Sequence, residues 1–384
     1  MKTYLPYGYH YAQGGGWSIL CSEDGEESLL AELFRRMLGR LLGFDLLHAW
    51  RNREALRAAD VVWTHTEREH LAASVILSLS HPPVPKLLAQ CVWLFDSWSN
   101  FSTVKRALYR YLLKYADIIT TQSPEDFDAA RTLFPNRPTA CVLSGGAVEW
   151  MIEPRGDPIH RPVRIAALGN DMHRDWKTLL RAFGGRSEYE LMIASRQVTQ
   201  RQLRNVSNVR LAKAQTETDV RQVYQWADLV VVPLKYNRHA SGITVIFEGT
   251  ISGLPVVATD TGGLRAYFSD DEIAFVPLGS PDAMRGMVDS LCADRARGLA
   301  MVESAQRRML TGELTKQGYA KRHRKLTEGL LRERDSSLLR NPGYKVSDGH
   351  KVSREVRIFV LLGHGFGANR WRERYECGLI PGLN

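Results

Sequence analysis

Between residues 60 and 146 the apolar positions fall into short runs bounded by turn residues, with helically spaced stretches between them. The runs DVVWTH (60–65), LLAQCVWLF (87–95), ADIITT (116–121) and ACVLSG (140–145) predict buried strands. VKRALYRYLLKY (104–115) and PEDFDAARTLF (124–134) predict the helices between them. Strands apolar throughout rather than alternating belong to parallel sheets covered on both faces. A stretch rich in Pro and Gly, residues 153–158, reads as a linker, and after it the rhythm restarts. Strands are predicted at 163–169, 189–195, 228–234 and 254–259, and helices at 175–183 and 218–227. The prediction is α/β: two Rossmann-like, doubly wound parallel-sheet domains whose strand-end loops face a cleft.

Helix 26–43 carries Leu29, Leu30, Leu33, Phe34, Met37, Leu38, Leu41 and Leu42 on one face, with Arg35, Arg36 and Arg40 beside it. That pattern predicts a core-facing helix with a solvated basic side. The alternative is a helix lying on an anionic membrane surface, to which the basic helix 104–115 would contribute.

At 384 residues the chain is long enough for two domains, and 44% apolar and 24% charged residues are ordinary globular proportions. No apolar run reaches the ~20 residues of a membrane span, and the first thirty residues lack a signal pattern. A cytoplasmic protein, peripheral at most, is expected. The cysteines (Cys21, Cys91, Cys141, Cys292 and Cys377) form no CxxC pair, so scattered thiols are expected and neither disulfides nor a zinc site. The net charge of +9 points to an anionic partner: a nucleotide, a phospholipid surface or nucleic acid. No nucleic-acid-binding signature is present, which disfavours the last.

The chemistry concentrates in RHASGITVIFEGTISGLPVVATDTGGL, residues 238–264. Ser241 as N-cap, Gly253 as stop and Pro255 beyond it predict a helix from about Gly242 to Ser252. The first-turn amides of Gly242, Ile243 and Thr244 are then free to bind a phosphate, with the helix dipole behind them. Glu248 lies on the same side about 10 Å along the axis, the span from a diphosphate to its ribose. Gly262 and Gly263, in the loop after the next strand, allow close backbone approach to a ligand.

This segment resembles the donor site of retaining GT-B glycosyltransferases of family four, with their Glu, seven residues, then Glu. The resemblance spans roughly residues 60–330 and is strongest over 163–290. It implies that Glu248 binds the nucleotide ribose. Ala240 stands where the family has the sugar-contacting Glu, and His239 beside it could take part of that contact. The stretch LGNDMHRDWKTLLRAF (168–183) matches the family's basic pair: Arg174 at the Lys position, with Lys177 nearby, would neutralise the leaving diphosphate. The implied reaction moves a sugar from a nucleoside diphosphate to a hydroxyl with retention, the donor being a substrate and no cofactor or metal being required. Asp96, expected at the end of the strand in VWLFDSW, is the candidate for positioning the acceptor hydroxyl, with His65 as runner-up. The class and the basic helices imply a saccharide or lipid-linked acceptor in envelope or exopolysaccharide assembly.

GT-B enzymes open with a strand and a Gly-rich loop, whereas this chain opens with residues that read as a loop. VRIFVLLGHGFGANRWRERY (356–375) has the missing features: a strand, a turn with Gly363, His364, Gly365 and Gly367, and a helix start. A circular permutation is expected. Residues 1–150 plus 354–384 would form the acceptor-side domain, 160–330 the nucleotide-sugar domain and 335–353 a linker. The HGFG turn also resembles the oxyanion loop of α/β hydrolases, but no GxSxG elbow accompanies it. Two other readings stay open: a nucleotide-sugar-binding protein without transferase activity, and a basic nucleic-acid-binding protein.

Overall fold

The computed structural model describes residues 5–204, 206–214, 216–339 and 355–364. The strands are β1 (Trp17–Cys21), β2 (Val61–Thr64), β3 (Lys86–Gln90), β4 (Ile118–Thr121), β5 (Thr139–Cys141), β6 (Val163–Leu168), β7 (Tyr189–Ala194), β8 (Val209–Leu211), β9 (Leu229–Val232), β10 (Val256–Thr259), β11 (Ala274–Val276) and β12 (Val356–Leu361). They form two six-stranded sheets, ordered β1-β12-β2-β3-β4-β5 and β11-β10-β9-β6-β7-β8. Every strand pairing in both is parallel.

Two compact units result. Among the described residues, the first takes those within 5–122, 126–142 and 317–364, and the second those within 123–125 and 143–316. Sequence patterning explains the second sheet directly. β6, β9 and β10 are almost wholly Val, Ile, Leu and Ala, and apolar clusters lie against both faces. Helix Trp176–Phe183 buries Leu179, Ala182 and Phe183 on one side, and helix Ile243–Ile251 buries Ile246 and Phe247 on the other.

In the first sheet, β12 lies between β1 and β2, with Ile358 opposite both Ile19 and Val61. β1 is a strand that begins inside the opening stretch expected to be a loop, directly after Gly14, Gly15 and Gly16. The run at 87–95 divides: β3 ends at Gln90, and Leu94–Ser97 is a helical turn. Asp96 therefore sits in that turn and not at a strand end. Residues 153–158, expected as a linker, are tied to the second unit. Arg155 N–H donates to Gly253 O at 3.1 Å, and its guanidinium donates to Gln225 O at 2.9 Å. Residues 335–339 continue helix Lys316–Leu339; the rest of 335–353, together with Gly365, Gly367 and Cys377, lies outside the described residues.

Helix Leu29–Leu42 departs furthest from expectation, because its apolar face is exposed and only Gly39 is buried. The inward residue is Arg35, which donates to Glu27 at 2.9 Å and to Asp45 at 3.0 Å. Among the described residues no helix is long and apolar enough to cross a membrane. Cys21, Cys91, Cys141 and Cys292 are free thiols.

Candidate functional site

The second unit assembles its polar groups around the start of helix Ile243–Ile251. The N-cap is Gly242, with φ 87°, and not Ser241 as the sequence suggests. A left-handed cap suits glycine, and a Cβ here would come within 2.6 Å of Val232 Cγ1 and 3.0 Å of Arg174 Nη1. Ser241 instead accepts a hydrogen bond from Arg174 Nη1 at 3.3 Å. Of the three amides expected to be free, Ile243 N–H donates to Ala240 O at 3.1 Å. Among the described contacts the Gly242 and Thr244 amides have no protein acceptor, so two of the three remain available.

Arg174, expected from the resemblance to neutralise the diphosphate, is buried. Its Nε donates to Leu168 O at 3.0 Å, and its side chain fills the space beside Gly169, whose φ is 134°. Burial lowers its pKa, while Asp171, Tyr224 and Glu248 act the other way. The guanidinium thus sits in the field of the carboxylate expected to bind the ribose. Glu248 is half-buried and accepts from Tyr224 Oη at 2.7 Å. Burial raises its pKa, opposed by the Tyr224 bond and by Lys316 and Arg174.

A second cluster adjoins the first. Asp171 accepts from His239 Nε2 at 3.0 Å and from His173 Nδ1 at 3.1 Å. Burial works to raise the Asp171 pKa, but the bonds from His173 and His239 hold it far below the usual carboxylate range. Ala240 is buried in the apolar cluster, so the family's first Glu position points into core here. Asn237, fully buried, accepts from Ser241 N–H at 3.3 Å and receives the close approach of Gly262. Gly262 and Gly263 have φ of 67° and 68°, which a side chain would strain. Lys177 is exposed and has no recorded bond to this group.

Sequence reasoning missed Tyr224, Asp171 and Asn237. Each acts on a residue in another element, a relation no local spacing encodes; an inward-facing Tyr on helix Glu217–Trp226 was the one available signal.

In the first unit His65 follows β2 under an aromatic cover. Tyr7 stacks on it at 3.3 Å between ring centroids, and Tyr9 Oη lies 3.1 Å from its Nδ1. Burial, then His323, lowers its pKa to about 3, leaving it neutral and a poor base near pH 7. Asp96 is half-buried in its helical turn. Gly363 and His364 follow β12, with His364 Nε2 3.7 Å from Glu27 and its ring against His48.

Residues 164–294 match the family described as "Glycosyl transferases group 1". The match lies within the second unit. The matched segment contains Arg174, Lys177, His239, Ser241, Gly242, Ile243, Thr244, Glu248, Gly262 and Gly263; Asp96, His65, Gly363 and His364 fall outside it. No curated protein matches the chain. Among solved structures it is similar to sucrose-phosphate synthase from Thermosynechococcus elongatus, with TM-score 0.62 and 17% identity over 78% of this chain and 80% of that one. It is also similar to Anabaena HepE in complex with UDP and glucose, with TM-score 0.58 and 13% identity over 76% and 82%. A UDP-forming α,α-trehalose-phosphate synthase from Burkholderia xenovorans follows, with TM-score 0.56 and 13% identity over 74% and 76%. At these identities the likeness is one of fold, the GT-B class with its two Rossmann-like parallel sheets.

Proposed function

We propose that the chain is a glycosyltransferase that moves a sugar from a nucleoside diphosphate to an acceptor hydroxyl with retention. One observation carries the reading: the glycosyltransferase match coincides with a buried Arg174 aimed at the Gly242 helix start, with Glu248 within its field. The diphosphate would lie on the Gly242 and Thr244 amides with Arg174 neutralising the leaving charge, and Glu248 would accept the ribose hydroxyls. His239, held by Asp171, would reach the sugar in place of the missing first Glu. Because Arg174 supplies positive charge at the leaving group, the reaction needs no metal, and chelation with EDTA should leave turnover unchanged. Asp96 and His65 would serve the acceptor. That acceptor is a lipid-linked saccharide of envelope assembly, which places the enzyme at an anionic membrane surface.

The uridine nucleotide bound by HepE makes UDP-sugars the first donors to test. The experiment is a donor panel with nucleotide release, product anomer and thermal shift read together. Arg174→Lys keeps the charge but loses the fork, and turnover should fall about 100-fold with donor affinity changed far less. Binding without turnover by the natural chain would leave a nucleotide-sugar-binding protein. Nucleic-acid affinity with a steep salt dependence, and no donor binding, would remove the reading altogether.

We also infer that β12 is the first strand of the acceptor-side domain relocated in the chain. Its pairing with β1 on one side and β2 on the other supports this. A chain rejoined so that residues 355–384 precede residue 1 should fold and bind the same donor; a misfolded product would count against relocation.

A further inference from the structure

The exposed face of helix Leu29–Leu42 has the chemistry of a surface meant to be covered. Leu29, Leu30, Leu33, Phe34, Met37 and Leu41 are all exposed, from 53% at Phe34 to 80% at Leu30. Six large apolar side chains on one side of a single helix are not scattered surface hydrophobes. The helix is not loose, either. Ser28 caps its start, Gly43 ends it with φ 87°, and Tyr109 Oη donates to Leu42 O at 2.8 Å. The charge pairs of Arg35 with Glu27 and Asp45 face inward. Anchoring by ions and display of leucines is the reverse of an ordinary amphipathic helix.

Beside this face lies an open cavity lined by Arg35, Arg36, Gly39, Arg40, Asp45 and Arg68. Asp45, its carboxylate, is already taken by Arg35 and by the His48 amide. Among the described residues no carboxylate pairs with Arg40 or Arg68. Glycine at position 39 leaves room against the Arg68 guanidinium, which lies 4.0 Å from where a Cβ would stand. Guanidinium forks around an open hollow suit a phosphate. The neighbouring helix Thr103–Leu112 adds Lys105, Arg106 and Arg110 with no acidic residue, and exposes Val104, Leu108 and Tyr111.

We propose that helix Leu29–Leu42 lies in an anionic bilayer, its leucines among the acyl chains and the Arg40 and Arg68 hollow on a lipid phosphate. The proposal deepens the membrane placement given above and does not depend on sugar transfer, since these residues lie outside 164–294. Charge complementarity selects the occupant. A second copy on a two-fold axis would bring this basic patch, with Arg40, Lys105, Arg106 and Arg110, against its own copy, and like charges oppose that. Anionic headgroups meet the same residues with opposite charge, at the depth where an interfacial helix keeps its polar flank.

The test is co-sedimentation of the full chain with vesicles of neutral phosphatidylcholine, alone or with about one-third anionic phosphatidylglycerol, alongside donor binding in solution. The natural chain should partition onto anionic vesicles and be released as salt rises. Leu33→Glu/Met37→Glu should weaken partitioning by at least about tenfold. Arg40→Ser/Arg68→Ser should weaken it roughly 30-fold on anionic vesicles and little on neutral ones. All four positions are solvent-facing, and UDP-induced thermal shifts should match those of the natural chain, which separates this outcome from any failure of the transferase reading. Absence of vesicle binding overturns the proposal, as does equal binding by both double variants. A dimer that Leu33→Glu/Met37→Glu dissociates, without vesicle binding, assigns the face to a second copy. Competition by free inorganic phosphate without vesicle binding assigns the hollow to a soluble anion.

Discussion

At the scale of single residues, the proposed donor recognition would turn on the contact between Glu248 and Tyr224. The carboxylate is pushed toward its neutral form by burial and held back by the Tyr224 hydroxyl, 2.7 Å away. Only the ionised form accepts bonds from both ribose hydroxyls, so donor affinity should fall as pH drops through a pKa raised above that of an ordinary carboxyl. Tyr224→Phe removes a group that opposes the shift and leaves burial in place. Its affinity profile should therefore move to higher pH, with affinity recovered at the alkaline end. Glu248→Gln should cost roughly 1.5–3 kcal/mol of donor binding at neutral pH and flatten the profile. Titration calorimetry with a nucleoside diphosphate across pH checks both, and a Tyr224→Phe profile superimposing on the natural one would show that the tyrosine does not tune the carboxylate.

At the scale of elements, helix Ile243–Ile251 shows what sequence could and could not supply. Its place between β9 and β10, its glycine stop and the spacing to Glu248 were legible, because they follow from apolar runs and local turn chemistry. Its cap was not. Ser241 looks like the better N-cap until Arg174, sixty-seven positions earlier, claims the hydroxyl. Gly242→Ala puts a Cβ into a φ of 87° and against Val232, so a loss of roughly 2 kcal/mol in denaturant unfolding is expected, together with weaker donor binding as Arg174 is displaced. Unchanged stability would mean that the cap can relax into an ordinary conformation.

The same limit explains the other misreadings. The run 87–95 is apolar throughout, and periodicity alone does not separate a buried strand from a strand followed by a helical turn. β8 and β11 are three residues each and leave almost no pattern. Helix Leu29–Leu42 announces an apolar stripe, but not whether protein or something else covers it.

At the scale of the whole molecule, the buried histidines of the two units have different surroundings. The first unit keeps His65, His70 and His323 neutral. Burial lowers His70 to about 4 and His323 to about 4, and burial with His323 nearby lowers His65 to about 3. Their surroundings are aromatic or backbone: His70 Nδ1 lies 3.0 Å from Gln90 O, and the His323 ring lies against Trp63, Tyr9 and Tyr319. In the second unit the buried His239 instead faces a carboxylate, its Nε2 3.0 Å from Asp171. The pH windows over which stability is lost differ accordingly. A histidine with a depressed folded pKa contributes stability above pH ~6.5 and loses it as pH falls toward its folded value, because the unfolded chain takes up the proton first. Each such group can cost up to about 1.4 kcal/mol per pH unit over that window. Asp171, with its own pKa far below the usual range, holds its contribution through the whole interval. Acidification from pH 6.5 to 4 should therefore open the first unit while the second persists. Limited proteolysis along a pH series should cut first in β2, β3 and helix Glu67–Ser78, sparing residues 163–294. The His70→Gln variant, which no longer titrates, should show a shallower acid limb than the natural chain. Simultaneous loss of both units, or an acid limb untouched by removing His70, would show that buried histidine does not set the acid limit.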